Sequence, residues 1–197
     1  LVGDFDYVVV GAGSSGSAIA YRLAQENNMK VLLMEYGGQN KSLFIDMPAA
    51  LSYPMNMKKY NWGYRTEPEP NLLGRSLICP RGKGLGGSSS INGMIYVRGH
   101  PQDFDNWSAQ GASSWSFADV LPYFKKMESC QHKISTWRGK NGPIKIKTAE
   151  QKNELHQVFS EAAVQSGYSL TEDYNGYKQE GIGAAEMTVF EGTRWST

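Results

Sequence analysis

The chain has 197 residues, of which 40% are hydrophobic and 20% are charged, a balance typical of a folded globular protein and not of a disordered one. Its 20 basic residues nearly balance its 19 acidic residues, so it offers no general electrostatic attraction to nucleic acid or to anionic lipid. The two cysteines form no CxxC pair and have no histidine at ligand spacing, so we expect reduced thiols, no metal and no nucleic-acid partner.

The amino-terminal sequence LVGDFDYVVV contains an apolar run that is too short to cross a bilayer, and no basic segment precedes it. We therefore expect no transmembrane segment. The expected location is cytoplasmic, with peripheral association with a membrane left open.

The first predicted elements form a βαβ unit. The apolar run from Asp6 to Val10 predicts a strand that is buried on both faces of a parallel sheet. A helical pattern begins at Ser14, and the run from Lys30 to Glu35 predicts a second buried strand. This order is typical of the dinucleotide-binding fold of Rossmann-like α/β domains.

The turn between the first strand and the helix carries the sequence Gly11-Ala-Gly13-Ser-Ser-Gly16, a GxGxxG motif. Its first glycine permits the tight turn, its second lets the backbone approach a pyrophosphate, and its third lets the helix pack on the strand. The helix start at Ser14 and Ser15 can then donate N–H groups to the phosphates. Glu35 is placed to accept hydrogen bonds from ribose hydroxyls. The motif does not by itself distinguish FAD from NAD.

The central part of the chain is predicted to contain loops followed by two helices. Prolines interrupt residues 39–80, where we expect extended loops. Helices are predicted at Asp103–Trp107 and at Ser116–Ser129. Ser116 and Asp119 have the spacing of a capping box, with aspartate in the place of glutamate.

The last part of the chain has a different sequence pattern from the first part. Alternating apolar and basic residues between Gly142 and Thr148 predict a strand with one solvent-exposed face. A helical pattern between Leu155 and Ala163 follows, and Gly167 is placed to end that helix. We therefore expect a dinucleotide-binding domain over residues 1–142 and the incomplete start of an α+β domain over residues 143–197. The chain ends without a terminating helix, which we interpret as an interruption.

A second glycine-rich run extends over residues 80–99. Gly86 and Gly87 can expose main-chain N–H groups, the serines add hydroxyl donors, and Arg81 or Lys83 can offset phosphate charge. The run contains no GxxxxGK[ST] sequence, which excludes a Walker-type loop. A buried turn whose serines solvate a helix start is an alternative that accounts for less of the run.

This second run resembles the first signature of the glucose-methanol-choline (GMC) oxidoreductases. The matching positions are Gly82, Lys83, Leu85, Gly86, Gly87, Ser88, Ser89, Ile91, Asn92, Tyr96, Gly99 and Asp105. Similarity to the choline dehydrogenase branch of the family extends through Met47-Pro-Ala-Ala50, Tyr60-Asn-Trp62, Leu121-Pro-Tyr-Phe124, Asp173-Tyr-Asn-Gly176 and Arg194-Trp-Ser196. The resemblance therefore covers essentially the whole chain, and it argues against an NAD-binding protein.

The resemblance implies that FAD is held by both glycine runs, with residues 143–197 beginning a substrate-binding domain. The expected cofactor-binding residues are Gly11, Gly13, Ser14, Ser15, Gly16, Glu35, Arg81, Gly82, Gly86, Gly87, Ser88, Asn92, Gly93 and Met94. Among them, Asn92 and Gly93 are the first candidates for contact with the flavin ring. Some relatives attach the flavin through a histidine directly before the signature asparagine. Ile91 stands at that position here, so we expect non-covalent FAD.

The resemblance also implies hydride transfer from an alcohol to the flavin, assisted by a histidine in the family's carboxy-terminal region, beyond residue 197. His100, His132 and His156 match no catalytic position of the family, so we assign no catalytic residue. Choline is the first expected substrate, and an electron acceptor is required. An alcohol oxidase that uses oxygen and a truncated, non-catalytic FAD-binding module are the alternatives.

The five tryptophans offer a possible cage for a quaternary ammonium group. We interpret them instead as core or interdomain packing groups. The expectation of choline therefore depends on the resemblance and on no recognised binding cage.

Overall fold

A computed structural model describes residues 3–25, 28–133 and 135–197. The chain forms two compact units, of which the first runs to Met94 and includes Glu191–Thr197, and the second is Ile95–Phe190. The predicted boundary between residues 142 and 143 falls inside the second unit, and the assignment of cofactor-binding and substrate-binding domains to those ranges stays a prediction. None of the helices in the described ranges has the length and hydropathy that a bilayer crossing requires.

The first unit begins with β1 (Tyr7–Val10), α1 (Ser14–Gln25) and β2 (Val31–Met34). The two strands pair in parallel, with Tyr7 opposite Val31, which confirms the predicted Rossmann-like βαβ unit. The predicted burial of β1 on both faces is wrong, since the side chain of Val10 is 82% exposed. Within the described residues β1 and β2 form a sheet of only two strands, so neither strand is flanked on both sides.

The rest of the first unit consists of short elements. They are α2 (Leu43–Asp46), α3 (Ser52–Asn56), β3 (Tyr64–Arg65), β4 (Ile78–Cys79), and single 3-10 turns at Pro48–Ala50, Pro70–Leu72 and Gly87–Ser90. The expectation of extended loops over residues 39–80 is therefore wrong in part: the prolines limit the helices to one or two turns without preventing them. Ile45, Tyr60 and Ile91 form the buried apolar cluster of this unit.

The second unit contains longer helices and short strands. They are α4 (Pro101–Ala109), α5 (Phe117–Met127), β5 (Glu128–Ser129), β6 (Ile144–Lys145), β7 (Lys147–Thr148), α6 (Glu154–Gln165), β8 (Glu186–Met187) and β9 (Val189–Phe190), while β10 (Thr193–Arg194) belongs to the first unit. The predicted strand between Gly142 and Thr148 is divided, because β6 pairs in parallel with β5 and β7 pairs antiparallel with β8.

Two predicted helix ends are confirmed. The capping box of α5 is present: the N–H of Ser116 donates to Asp119 Oδ2 over 3.0 Å, and the N–H of Asp119 donates to the Ser116 hydroxyl. Gly167 follows α6 with φ +88°, and its N–H donates to the carbonyl of Val164. A positive φ favours glycine at this position, because it lacks the Cβ that would clash there.

A buried ionic network is the main polar feature of the second unit. Glu128 and Glu186 have no exposed side-chain surface, and Arg138 pairs with both over 2.9 Å. Arg98 Nη2 lies 2.8 Å from Glu128 Oε1. Although burial disfavours its charged form, hydrogen bonds from Arg138 and Asn175 lower the pKa of Glu186 to about 2. Glu186 is therefore ionised at neutral pH.

Replacing Arg138 by methionine is expected to destabilise the protein by about 3–5 kcal/mol, because two buried carboxylates lose the guanidinium that they share. Urea unfolding of the full-length protein at pH 7 measures the change. Lys152→Met is the control, since that lysine is 84% exposed and pairs with Glu150 at the surface; no measurable change is expected. Equal stability of the Arg138 and Lys152 variants would contradict the account.

The pKa of Glu186 lies below its ordinary value of 4.5, so wild-type stability should fall as the pH drops from about 4.5 towards 2.

Candidate functional site

A cleft of about 800 Å³ lies in the first unit at the carboxyl ends of β1 and β2. Ligands bind open parallel sheets at this end of the strands. Many of the residues expected at the cofactor line the cleft, namely Gly11, Gly13, Ser14, Ser15, Gly16, Glu35, Arg81, Gly82, Gly87 and Ser88. The structure therefore brings the two glycine runs together at one place.

The first glycine motif has the geometry that its sequence predicts. Gly11 has φ +96°, in the left-handed region that favours glycine. A Cβ atom at Gly16 would overlap the carbonyl oxygen of Gly11, so only glycine lets α1 lie this close to the turn. The first N–H groups of a helix have no intrahelical acceptor, and Ser14 and Ser15, which carry such groups, line the cleft.

The carboxylate of Glu35 connects the two glycine runs. Its Oε2 accepts the N–H of Ala12 over 2.8 Å, and its Oε1 accepts the N–H groups of Gly37 over 2.9 Å and Gly84 over 3.0 Å. The N–H of Gly86 donates in turn to the carbonyl of Ala12 over 2.8 Å. A single side chain therefore joins the first motif, its own loop and the second run.

Glu35 is ionised at neutral pH. Burial disfavours its charged form, but the N–H donors of Gly37, Ala12 and Gly84 outweigh that effect and hold its pKa below the ordinary value. The side chain of Glu35 also lines the cleft, which is the location that the predicted contact with ribose hydroxyls requires.

The second glycine run packs against the first through its backbone. A Cβ atom at Gly82 would overlap the carbonyl oxygen of Gly87, and one at Gly87 would stand 2.8 Å from the Cα of Gly13. The hydroxyls of Ser89 and Ser90 donate to carbonyls of the same run. These two serines therefore stabilise the turn, as the alternative interpretation of the run expected. The neighbouring Ser88 lines the cleft instead.

Four residues expected at the cofactor do not line this cleft: Gly86, Asn92, Gly93 and Met94. Met94 is buried, and its φ of +61° is unusual for a side-chain-bearing residue. Asn92 Oδ1 accepts the N–H of Met94 over 3.0 Å and a guanidinium N–H of Arg194 over 2.9 Å. The expected position of Asn92, Gly93 and Met94 beside a flavin stays a prediction.

Sequence reasoning missed the aromatic wall of the cleft, which consists of Tyr36, Trp62 and Tyr64. Trp62 is 41% exposed and is therefore not a core residue. Two signals in the sequence point to this wall. Tyr36 directly follows Glu35, and Trp62 and Tyr64 are two residues apart, the spacing of side chains on one face of a strand.

The three histidines lie outside the cleft lining. His100 caps α4, accepting the N–H of Gln102 at Nδ1, and His156 is exposed on α6. In the part of the chain that the structure describes, one group of possible metal ligands occurs, formed by Cys130, His132 and Glu186. Burial raises the pKa of the Cys130 thiol to about 11, and Arg138 already binds Glu186, so neither ligand is well prepared for a metal ion.

The parallel βαβ unit, the GxGxxG turn at the cleft and the acidic residue after β2 define a dinucleotide-binding fold of the Rossmann type. Comparison with known families gives a narrower result. The model of the family described as GMC oxidoreductase matches residues 5–197. The chain belongs to the GMC oxidoreductase family.

Two of the similar curated proteins are the oxygen-dependent choline dehydrogenases of Brucella melitensis and Rhizobium etli. Each is 55% identical to this chain over 191 residues, which are 97% of this chain and 35% of the relative. The chain therefore spans about a third of the length of these relatives.

Three solved structures share the fold. Pyridoxine 4-oxidase from Mesorbium loti has a TM-score of 0.91 and 33% identity, over 97% of this chain and 38% of its own. A formate oxidase variant from Aspergillus oryzae, studied for FAD modification, has a TM-score of 0.84 and 31% identity, over 98% and 35%. An FAD-dependent oxidoreductase from Chaetomium thermophilum has a TM-score of 0.86 and 26% identity, over 98% and 35%.

Replacing Gly87 by alanine is expected to destabilise the first unit by about 1–3 kcal/mol, because the added Cβ atom meets the backbone of Gly13 in an overpacked contact. Thermal unfolding of the full-length protein measures the change. Gly38→Ala is the control, since a Cβ atom there meets no atom within 4 Å. Equal melting temperatures of the two variants would contradict the close backbone contact.

Proposed function

We propose that this chain is the FAD-binding part of a longer FAD-dependent oxidoreductase that acts on the CH–OH group of an alcohol. The observation that carries the proposal is the cleft formed by two glycine runs around the ionised carboxylate of Glu35. Membership of the GMC oxidoreductase family supports it, as do two similar structures that are described with FAD.

The residues of the cleft fit the adenosine diphosphate half of FAD. The N-terminal turn of α1 offers N–H groups and a positive dipole end to the diphosphate. Arg81, which also lines the cleft, adds a positive charge. Glu35 offers its carboxylate to the ribose hydroxyls and repels a 2′-phosphate, so an NADP-type ligand is disfavoured.

FAD, when bound, supplies the hydride-accepting chemistry. This chain then holds the cofactor: it orients the diphosphate at the turn between Gly11 and Gly16 and fixes the ribose at Glu35. The proton of the substrate hydroxyl is expected to be removed by a histidine beyond residue 197, so we assign this chain no catalytic residue.

Choline is the first candidate substrate. The support is the resemblance of the chain to the choline dehydrogenase branch and the names of relatives that are 55% identical to it. The acceptor of the electrons is open between oxygen and another molecule, and the similarity to pyridoxine 4-oxidase favours an oxidase as the second candidate. A truncated, non-catalytic FAD-binding module is the remaining alternative. A cytoplasmic location, with peripheral membrane association left open, stays a prediction.

The flavin is expected to be non-covalent. Ile91 occupies the position at which some relatives carry a flavin-linked histidine, and its side chain is buried against Ile45 and Tyr60 and has no nucleophilic atom. Acid precipitation of the purified full-length protein should release all of the yellow chromophore into the supernatant, identified as FAD by chromatography. A yellow pellet after repeated washing would contradict this expectation.

Anaerobic mixing of the full-length protein with choline, glucose and simple primary alcohols tests the activity. Choline is expected to bleach the flavin absorbance, because a hydride then reduces the ring, and glucose is expected not to. Rapid recovery of absorbance on mixing with oxygen would identify an oxidase. Flavin that no alcohol reduces would support the non-catalytic module, and purified protein without flavin absorbance would contradict the proposed cofactor.

A further inference from the structure

Arg194 brings a buried guanidinium group into contact with Asn92. The residue is only 5% exposed. Its Nε donates to the carbonyl of Ile45 over 2.8 Å, and its Nη1 donates to the carbonyls of Asn92 over 2.8 Å and Ser89 over 3.2 Å. Nη1 also donates to Asn92 Oδ1 over 2.9 Å. Arg194 therefore binds both the main chain and the side chain of Asn92.

Stability alone does not explain a buried arginine at this position. All four acceptors are neutral oxygens, whereas a buried charge is usually paired with an opposite charge. Nη2 is buried and has no hydrogen-bond partner among the residues that the structure describes. Burial lowers the pKa of Arg194, and the carboxylate of Asp46 opposes that shift through space. An apolar side chain of similar volume would avoid these costs, which indicates that the guanidinium serves a site.

The donors around Asn92 determine which way its side-chain amide points. A guanidinium N–H and a backbone N–H can only donate. Nη1 of Arg194 and the N–H of Met94 both lie at the same end of the amide, over 2.9 and 3.0 Å. That end must therefore be the oxygen, and the nitrogen is turned away from both donors. Its two N–H groups are what the side chain of this exposed residue can offer to a ligand.

We propose that Arg194 is a positioning residue, which holds the Asn92 amide with its nitrogen directed towards the flavin ring of the bound cofactor. The inference depends on the proposed function, because it concerns the same FAD. It adds to the expected contact of Asn92 the group that sets the orientation of that contact. Without the guanidinium, the amide keeps one of the two N–H groups that hold its oxygen, so its nitrogen is less firmly directed.

The orientation of the amide affects flavin chemistry because reduction adds electrons to the ring. The acceptor atoms of a reduced ring are more negative, so they bind an N–H donor more strongly than those of an oxidised ring. An amide nitrogen directed at the ring therefore stabilises reduced FAD more than oxidised FAD. The contact raises the midpoint potential of bound FAD, and its loss lowers that potential.

The midpoint potential of FAD bound to the full-length protein tests this inference. Arg194→Lys keeps a positive charge but loses the planar fork. It is expected to lower the ratio of the affinities for reduced and oxidised FAD about tenfold, which is about 30 mV for a two-electron couple. Asn92→Ala should lower the potential by at least as much. The double variant should match Asn92→Ala alone, because Arg194 acts through Asn92.

Ile45→Val is the matched control for a purely structural effect. It removes a methyl group from the buried cluster of Ile45, Tyr60 and Ile91, and it leaves the backbone carbonyl that Arg194 binds. We expect a lower melting temperature with an unchanged midpoint potential.

Asn92→Asp keeps the test valid if Arg194→Lys does not fold. The carboxylate retains oxygen for Arg194 and Met94, and it replaces the outward nitrogen by an acceptor. An ion pair with the buried guanidinium then replaces a neutral contact. We therefore expect a melting temperature at or above that of the wild type, together with a lower midpoint potential.

Three results would overturn the inference. They are a wild-type potential in Arg194→Lys or Asn92→Asp, a double variant whose shift is the sum of the two single shifts, and an equal shift in Ile45→Val. The second would mean that Arg194 acts on the flavin independently of Asn92, and the third that loosened packing is the cause. Purified wild-type protein without bound FAD would instead overturn the proposed function.

Discussion

The carboxylate of Glu35 accepts backbone N–H groups from Ala12, Gly37 and Gly84, and the cleft of the first unit depends on these three bonds. They hold the turn after β1 next to a segment that is more than 70 positions further along the chain. Backbones can approach so closely only where side chains are absent, which is why Gly13 faces Gly87 and why Gly82 packs on the carbonyl group of Gly87. The Glu35 carboxylate and the glycines of the two runs therefore act together to hold the two backbones in contact.

This construction gives the cleft a lining that includes the main chain of five glycines, Gly11, Gly13, Gly16, Gly82 and Gly87. Main-chain N–H groups are fixed in direction by the fold and carry no net charge at any pH. They therefore suit a phosphate-containing ligand that must be held without a reactive side chain. The aromatic wall around Trp62 contributes the apolar surface that a main-chain lining lacks.

Local features of the fold were predictable from the sequence, because neighbouring residues determine them. The βαβ unit, the glycine geometry at Gly11 and Gly16, and the capping box of Ser116 and Asp119 belong to this group. Burial was less predictable: the apolar pattern of β1 reports what the strand prefers to contact, whereas its neighbours are set by distant parts of the chain.

Long-range contacts were the features that the sequence did not indicate. Arg138 and Glu186 are 48 positions apart, and no spacing rule pairs them. The role of Glu35 was foreseen in part, since its distance from the GxGxxG motif suggested a ribose contact, but its bond to Gly84 spans 49 positions. Trp62 was assigned to packing because a tryptophan in a sequence more often packs than binds.

The measurement that tests the central role of Glu35 most directly is the binding of FAD by Glu35→Gln, together with its melting temperature. An amide has one acceptor oxygen and turns a donor towards the N–H groups, so at least one partly buried donor loses its partner at a cost of about 1–3 kcal/mol. Glu150→Gln, at an exposed carboxylate, is the control. We expect Glu35→Gln, but not the control, to have a lower melting temperature than the wild type and to bind FAD at least about tenfold more weakly. Wild-type melting and affinity in Glu35→Gln would contradict the account.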